Sequence, residues 1–241
     1  MSLESSGAIP GEEQHLENDP IRDLRATRWV RPLAIWFGLS LLISPLFDPW
    51  LTFYYGTWAV IGGWAVVHFR IRIAAFVDEL PGPRPVVFVG VGLVAVLVGE
   101  TLAAIAQWQG TGLALGPTIV ELWSVNFAVF GPALVAWAVL LGRYSFRARD
   151  LLGSWGIIGV IVEGGLVFLV ASPLVFVWAF PLLFVAHALV FLVPYLVMRR
   201  EAAEGSTHRR WLAWIVAMGI SILVTMALLS LYVSLGGPIA T

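Results

Sequence analysis

The 241-residue sequence contains no cysteine. This absence excludes disulfides, thiolate nucleophiles and the zinc or iron–sulfur sites that cysteine ligates. Lysine is missing as well, because all 14 basic residues are arginines. Without lysine the chain can form neither a Schiff base, as a retinal pigment requires, nor a phosphate-binding lysine loop. We therefore expect no cofactor.

Charge is also scarce. Charged residues make up 12% of the chain and hydrophobic residues 59%, whereas a soluble domain carries about 25% charged residues. The mean hydropathy is +0.89. No basic patch interleaved with aromatic residues is present, which argues against nucleic acid as a partner. The composition predicts a surface that faces a lipid bilayer.

Apolar stretches of about 20 residues, each long enough to cross a hydrocarbon core of about 30 Å, account for most of the length. The sequence predicts an all-α, polytopic transmembrane helix bundle of about seven spans. These spans cover residues 32–47, 50–69, 85–107, 118–142, 151–171, 173–198 and 211–235. Only Asp48-Pro49 separates the first two spans, and only Ser172-Pro173 the fifth and sixth. Both pairs are predicted to be tight helical hairpins.

Arginine predicts the orientation. If the spans alternate, all 14 basic residues fall on one side of the membrane: Arg22, Arg25, Arg28, Arg31, Arg70, Arg72, Arg84, Arg143, Arg147, Arg149, Arg199, Arg200, Arg209 and Arg210. Positively charged loops stay in the cytoplasm. We therefore expect a multi-pass protein of the cell membrane, with a cytoplasmic N-terminus and an external C-terminus.

Three segments follow from this interpretation. Residues 1–28 are polar and acidic and lack the basic start and apolar stretch of a secretory signal, so they are predicted to form a flexible cytoplasmic tail. Residues 29–236 form the seven-helix transmembrane domain, and residues 237–241 a short external C-terminus. Tryptophan at predicted span ends, where its ring suits the headgroup region, fits these boundaries. These residues are Trp29, Trp50, Trp108, Trp155, Trp211 and Trp214.

Few polar side chains lie within the spans, and these are the candidates for function: Glu100, Glu121, Glu163, His187 and Asn126. An ionisable group at a helix centre costs about 2.5–3.5 kcal/mol on insertion scales, so such groups face protein, water or a partner. No arginine lies within a span to neutralise the acids. An unpaired carboxylate in hydrocarbon must take up a proton or bind a cation.

The helical rise of about 1.5 Å per residue gives the expected depth of each candidate below the outer surface. Glu100 is about 10 Å deep, and Asn126 and Glu163 are about 12 Å deep. These three are predicted to form an acidic pocket in the outer leaflet. Glu121 lies nearer the surface, where hydration is the simpler interpretation. His187 is about 21 Å deep, about 9 Å below the other three, and can be a neutral histidine bonded to a neighbouring helix.

Three classes of function are compatible with this pattern. A pocket of two carboxylates and an amide favours transport or binding of a cation or proton. The first alternative is an intramembrane hydrolase or protease that uses glutamate and histidine, which ranks lower because His187 is predicted to be too deep and alone. The second is a non-catalytic assembly or sensing subunit, for which Glu100 and Glu163 should tolerate glutamine.

Overall fold

A computed structural model describes residues 20–112, 114–163, 169–197 and 207–236. The first 19 residues of the predicted tail, the C-terminus from residue 237, and Arg199 and Arg200 lie outside the described residues. Within the described ranges the protein is helical and contains no strand, which confirms the all-α prediction.

We number the helices that build the bundle α1 to α8. Their bounds are Pro20–Ala26, Val30–Ile43, Pro49–Glu79, Arg84–Thr111, Leu115–Leu141, Ala148–Val162, Pro173–Val197 and Thr207–Ser234. A 3₁₀ turn follows α2, and Asp48 then caps α3 by accepting from the N–H groups of Trp50 and Leu51 at 3.0 Å. This cap and the proline after it start α3 at the first predicted tight hairpin. Ser44 lies 2.6 Å from Thr52, and Leu41 of α2 faces Gly56 of α3, so the two helices do fold back on each other there.

Five helices of the described chain are long and apolar enough to cross a membrane: α3, α4, α5, α7 and α8. Helices α1 and α2, bent by 87° relative to each other, make a sixth candidate if the pair forms one span. Such helices indicate an integral membrane protein. Two expectations differ from the structure. Helix α6 ends at Val162 rather than at Ala171, and Pro20–Ala26, within the expected flexible tail, is helical.

Helices α4 and α5 form an antiparallel pair. The Trp123 indole N–H donates to Thr101 Oγ1 at 3.3 Å, and Gly92 faces Leu134 further along the pair. Residue numbers fall along one helix as they rise along the other, so the two helices run in opposite directions.

Helices α6 and α7 are antiparallel by the same criterion. The Tyr195 hydroxyl donates to the Phe146 carbonyl at 2.8 Å, just before α6 begins. Further along, the Trp155 and Phe191 rings stack with centroids 3.3 Å apart. Contacts of α3 with α4 and of α2 with α7 follow the same rule. Phe146, between α5 and α6, contacts Tyr195 near the end of α7 and Trp211 near the start of α8, while Thr225 of α8 reaches Val129 of α5. Consequently α3, α5 and α7 end on the side where α2, α4, α6 and α8 begin.

We call that side the arginine end, because the arginines of the described residues lie toward it. Arg84 pairs with Asp78 at 2.9 Å across the turn between α3 and α4. Arg210, at the start of α8, donates to the Ser145 carbonyl at 2.7 Å and lies 3.6 Å from Asp150. The opposite side, where α3, α5 and α7 begin, we call the open end.

Large apolar side chains fill the half of the bundle nearer the arginine end. Trp137, Leu151 and Phe191 are fully buried there, and Trp137 packs edge-on against Phe146 at 4.8 Å. Helices in lipid associate mainly through such close packing. Trp155, expected at the membrane surface, lies in this core instead because it stacks on Phe191.

Proline shapes the contact between α2 and α7. Pro181 lies within α7 and has no backbone N–H, so the carbonyl of Val177, four residues earlier, loses its helical partner. The Trp36 indole of α2 donates to that carbonyl at 2.9 Å, and its ring stacks on Phe180 at 5.1 Å. The Val177 carbonyl, to which lipid could not donate a hydrogen bond, thus holds α2 against α7.

Candidate functional site

A cavity of about 440 Å³ extends into the bundle from the open end. Its mouth lies where α3 begins and α4 ends, near Asp48 and Gly110, and its inner part reaches Glu100 and Glu163. The complete lining is Asp48, Trp50, Leu51, Tyr54, Tyr55, Glu100, Ala103, Ala106, Gln107, Gly110, Leu122, Asn126 and Glu163. Within the described residues this lining contains three carboxylates and no basic side chain, so the cavity favours a positive charge.

The structure brings three of the five predicted residues to the walls of this cavity. Glu100 from α4, Asn126 from α5 and Glu163 at the end of α6 all line it. The two carboxylates therefore share one space, in which Glu100 is buried and Glu163 is partly exposed. Asn126 donates from Nδ2 to the Leu122 carbonyl of its own helix at 3.1 Å, which leaves its amide oxygen as the acceptor it can offer.

His187 meets Glu163 directly. His187 Nε2 lies 3.1 Å from Glu163 Oε1, and His187 Nδ1 lies 2.8 Å from the Leu183 carbonyl. A carbonyl can only accept, so Nδ1 carries a hydrogen. Nε2 and Oε1 can then be bonded only through one further proton, which sits on the imidazole or on the carboxyl. The contact is therefore a proton-binding pair.

The sequence placed His187 about 9 Å below the acids, and the contact with Glu163 corrects this. That estimate extended a regular helix to Ala171, but α6 ends at Val162 and Glu163 is its cap residue. The rise per residue does not apply beyond a helix end. Glu163 thus lies deeper than its distance from residue 171 implied, at the level of His187.

Glycine permits the close approach of α6 and α7 at this level. A Cβ atom at Gly159 would overlap the His187 side chain, and one at Gly156 would overlap the Phe184 ring. With glycine at both positions, the backbone of α6 can pack directly against the side chains of α7. The position of His187 therefore depends on these small residues, one and two turns before Glu163.

Two tyrosines complete the inner wall, and the sequence analysis missed both. The Tyr54 hydroxyl donates to Glu100 Oε1 over a long 3.4 Å, and the Tyr55 ring lies 5.9 Å from the His187 ring. Both belong to a π-helical stretch of α3, Thr52–Gly56. Wider π turns are frequent at functional sites, and here one turns two successive side chains toward the site. The sequence signal that could have identified them is the Tyr-Tyr pair itself, because it lies inside a predicted span and the chain has only five tyrosines.

Glu121 is the predicted residue that the structure does not bring to the cavity. It lies one to two turns from Asn126 on α5 but is not part of the lining. Its Oε1 atom is buried and has no hydrogen-bond partner among the residues that the structure describes. Glu121 is thus separate from the site formed by Glu100, Glu163 and His187.

Aromatic and apolar side chains close the cavity on the side of the arginine end. A crevice of about 10 Å³, roughly the space of one water molecule, lies between Tyr55, Trp58, Phe130 and His187. The Trp58 indole donates to the Ala186 carbonyl at 3.0 Å, which holds the ring beside the histidine. The stacked Trp155 and Phe191 belong to the same buried core. The site is therefore open toward one end of the bundle and sealed toward the other.

A metal centre is not apparent in this arrangement. Among the described residues no group of three histidine, cysteine, aspartate or glutamate side chains could hold a metal ion. What the arrangement can do is bind a proton between Glu163 and His187 and offer a buried carboxylate, Glu100, to a cationic guest. Scans against protein-family models, curated proteins and solved structures find no match to this chain.

Proposed function

We propose that the chain crosses the plasma membrane seven times, with the arginine end in the cytoplasm and the C-terminus outside. Helix α5 ends at the arginine end whereas α7 begins at the open end, so the residues between them must return through the bundle. Helix α6 supplies the first part of that crossing. Retention of arginine-rich loops in the cytoplasm supports the orientation.

The cysteine-free sequence makes this topology simple to test. Single cysteines replace Ala114, at the open end, or Ser145, at the arginine end, and intact cells are treated with a membrane-impermeant maleimide. We expect Ala114→Cys to be labelled from outside and Ser145→Cys only after lysis. Labelling of Ser145→Cys in intact cells would reverse the orientation.

We further propose that the protein binds and transports a cation in exchange for a proton. The observation that carries this proposal is the contact of His187 with Glu163 at the inner part of a cavity that also exposes Glu100. The cavity contains no basic residue in its described lining. A cation that enters adds positive charge beside the pair and favours release of its shared proton into the cavity.

Proteoliposomes with a pH dye inside test the exchange. An outward proton gradient is imposed, and sodium, potassium, magnesium or tetramethylammonium chloride is added outside in turn. With the transported cation, we expect the wild-type lumen to become more alkaline than that of protein-free vesicles. Glu163→Gln removes the ionisable carboxyl of the Glu163–His187 pair, and Glu100→Gln removes the buried acid. Both variants should lose the alkalinisation of the lumen.

Glu121→Gln is the matched control, because this acid lies on the same side of the bundle but does not line the cavity. It should retain the wild-type signal. Equal signals from wild type, Glu163→Gln and Glu100→Gln would refute the exchange and favour the non-catalytic subunit, for which both substitutions are neutral.

The same contact gives the intramembrane enzyme a specific basis as a second candidate. His187 lies against Glu163 rather than about 9 Å below it, so the main argument against this class is wrong. Because both ring nitrogens of His187 are engaged, by the Leu183 carbonyl and by Glu163, the carboxylate of Glu163 is the group of this pair that can act as a general base toward water. Mass spectrometry of each candidate substrate, recovered after incubation with the protein, distinguishes the enzyme from the transporter. An unchanged mass supports transport, and a hydrolysed product supports the enzyme.

A further inference from the structure

The size of the cavity limits what it can bind. At about 440 Å³ it falls within the range of about 300–1,000 Å³ that is typical of sites for small organic molecules. A bare metal ion is instead held by ligands that converge within about 2–2.6 Å of it, and no three metal-binding side chains converge in this way among the described residues. The space therefore suits an organic molecule better than a bare ion.

Aromatic rings form one wall of the cavity. Tyr54 and Tyr55 lie with ring centroids 4.2 Å apart and planes inclined by 47°, so together they form an angled surface. Trp50 stands nearer the mouth against Gly110, where a Cβ would come within 2.9 Å of the indole nitrogen. Glycine at position 110 thus lets the indole lie against α4. Ring faces of this kind attract organic cations, particularly where water is excluded.

A buried acid faces these rings. Glu100 lines the cavity yet is only 8% exposed, and its hydrogen bond from Tyr54 is long, at 3.4 Å. A carboxylate in this position needs a positive partner more than an exposed one does. An ammonium group between Glu100 and the rings would supply that partner, and its alkyl groups would contact the tyrosine and tryptophan faces.

From the cavity volume, its aromatic wall and its buried carboxylate together, we infer that the cation bound here is a small organic ammonium ion. The inference rests on the proposed cation site and names its substrate class. Glu100 provides the counter-charge, and Trp50, Tyr54 and Tyr55 provide the aromatic contacts. Proton exchange at Glu163 and His187 is a separate property of the same cavity.

The test uses purified full-length protein in detergent and isothermal titration calorimetry. The probes are tetramethylammonium, choline, 3,3-dimethylbutan-1-ol as the uncharged counterpart of choline, sodium and magnesium. We expect choline or tetramethylammonium to bind at least about tenfold more tightly than the uncharged alcohol, because only the cations gain from the carboxylate and the ring faces. Sodium and magnesium should not compete with them.

Trp50→Leu should weaken ammonium binding by about tenfold, whereas Trp50→Phe, which keeps a ring face, should restore most of it. Trp64→Leu, on the same helix but outside the cavity lining, is the matched control and should bind like wild type. Circular dichroism and gel filtration show whether each variant is folded. If Trp50→Leu fails to fold, the test is the ammonium affinity of Trp50→Phe and Glu100→Gln compared with that of wild type.

The outcomes separate this inference from the exchange proposal. Binding of sodium or magnesium with no binding of either ammonium ion would overturn the organic cation while leaving proton exchange intact. Equal affinity for choline and its uncharged counterpart would overturn it as well. Tight ammonium binding that releases no proton, unchanged in Glu163→Gln, would support the organic cation and refute the exchange.

Discussion

The half of the bundle near the arginine end is closely packed with apolar side chains, whereas the half near the open end contains a cavity lined by polar groups. Trp137 and Leu151 are completely buried in the first half, while Trp50 at the mouth of the cavity is 40% exposed. Helices α3, α4, α5 and α7 run through both halves. Close packing in one half fixes the helices, so that the other half can hold polar groups with few partners.

The largest expected difference between the halves is in stability. Trp137→Ala should lower the free energy of unfolding by about 3–5 kcal/mol, because it leaves a cavity in the packed core. Trp50→Ala removes the same side chain from an exposed position and should cost about 1 kcal/mol or less. Unfolding in mixed micelles, followed by circular dichroism, measures both. Equal losses would show that the two halves are equally packed.

An intermediate effect is expected where the halves join. Gly159→Ala places a Cβ against His187 and should cost about 1–3 kcal/mol, as overpacking usually does. It should also abolish proton exchange by moving the imidazole away from Glu163. Gly90→Ala on α4, where a Cβ would meet nothing within 4 Å, is the control and should change neither property. Normal exchange by Gly159→Ala would mean that the helix contact does not position the histidine.

The smallest expected effects concern two tyrosine hydroxyls. Tyr195 donates to the Phe146 carbonyl at 2.8 Å in the packed half, and Tyr54 to Glu100 at 3.4 Å in the hollow half. Tyr195→Phe should cost about 1 kcal/mol and Tyr54→Phe about 0.5 kcal/mol or less, since the longer bond is weaker. The same unfolding assay measures both, and a larger loss for Tyr54→Phe would reverse the comparison.

Regular helices made most of the fold predictable from the sequence. Apolar length alone located α3, α4, α5, α7 and α8, and a constant rise placed Glu100 and Asn126 at one level. Both residues line the cavity. The boundaries were less accurate at the arginine end, where α3 continues through Arg70 and Arg72 to Glu79. Arginine there is compatible with a helix that extends beyond the apolar core.

The rest of the site could not be predicted because it depends on departures from regular helix. The end of α6 before Glu163 brings that residue to His187, and the π-helical stretch of α3 turns Tyr54 and Tyr55 inward. Neither feature changes the hydrophobicity of the sequence, which was the main signal available. Glu121, which the sequence placed nearer the surface than Glu100, does not line the cavity.

The Trp36–Val177 bond has a consequence for biosynthesis. Its two residues are 141 positions apart in the chain, so α2 is synthesised and inserted long before its partner carbonyl exists. An unpaired carbonyl in lipid costs several kcal/mol, which penalises α7 if it enters the bilayer alone. We therefore expect α2 to remain beside the insertion machinery until α7 arrives, and to receive that helix as it leaves the translocon.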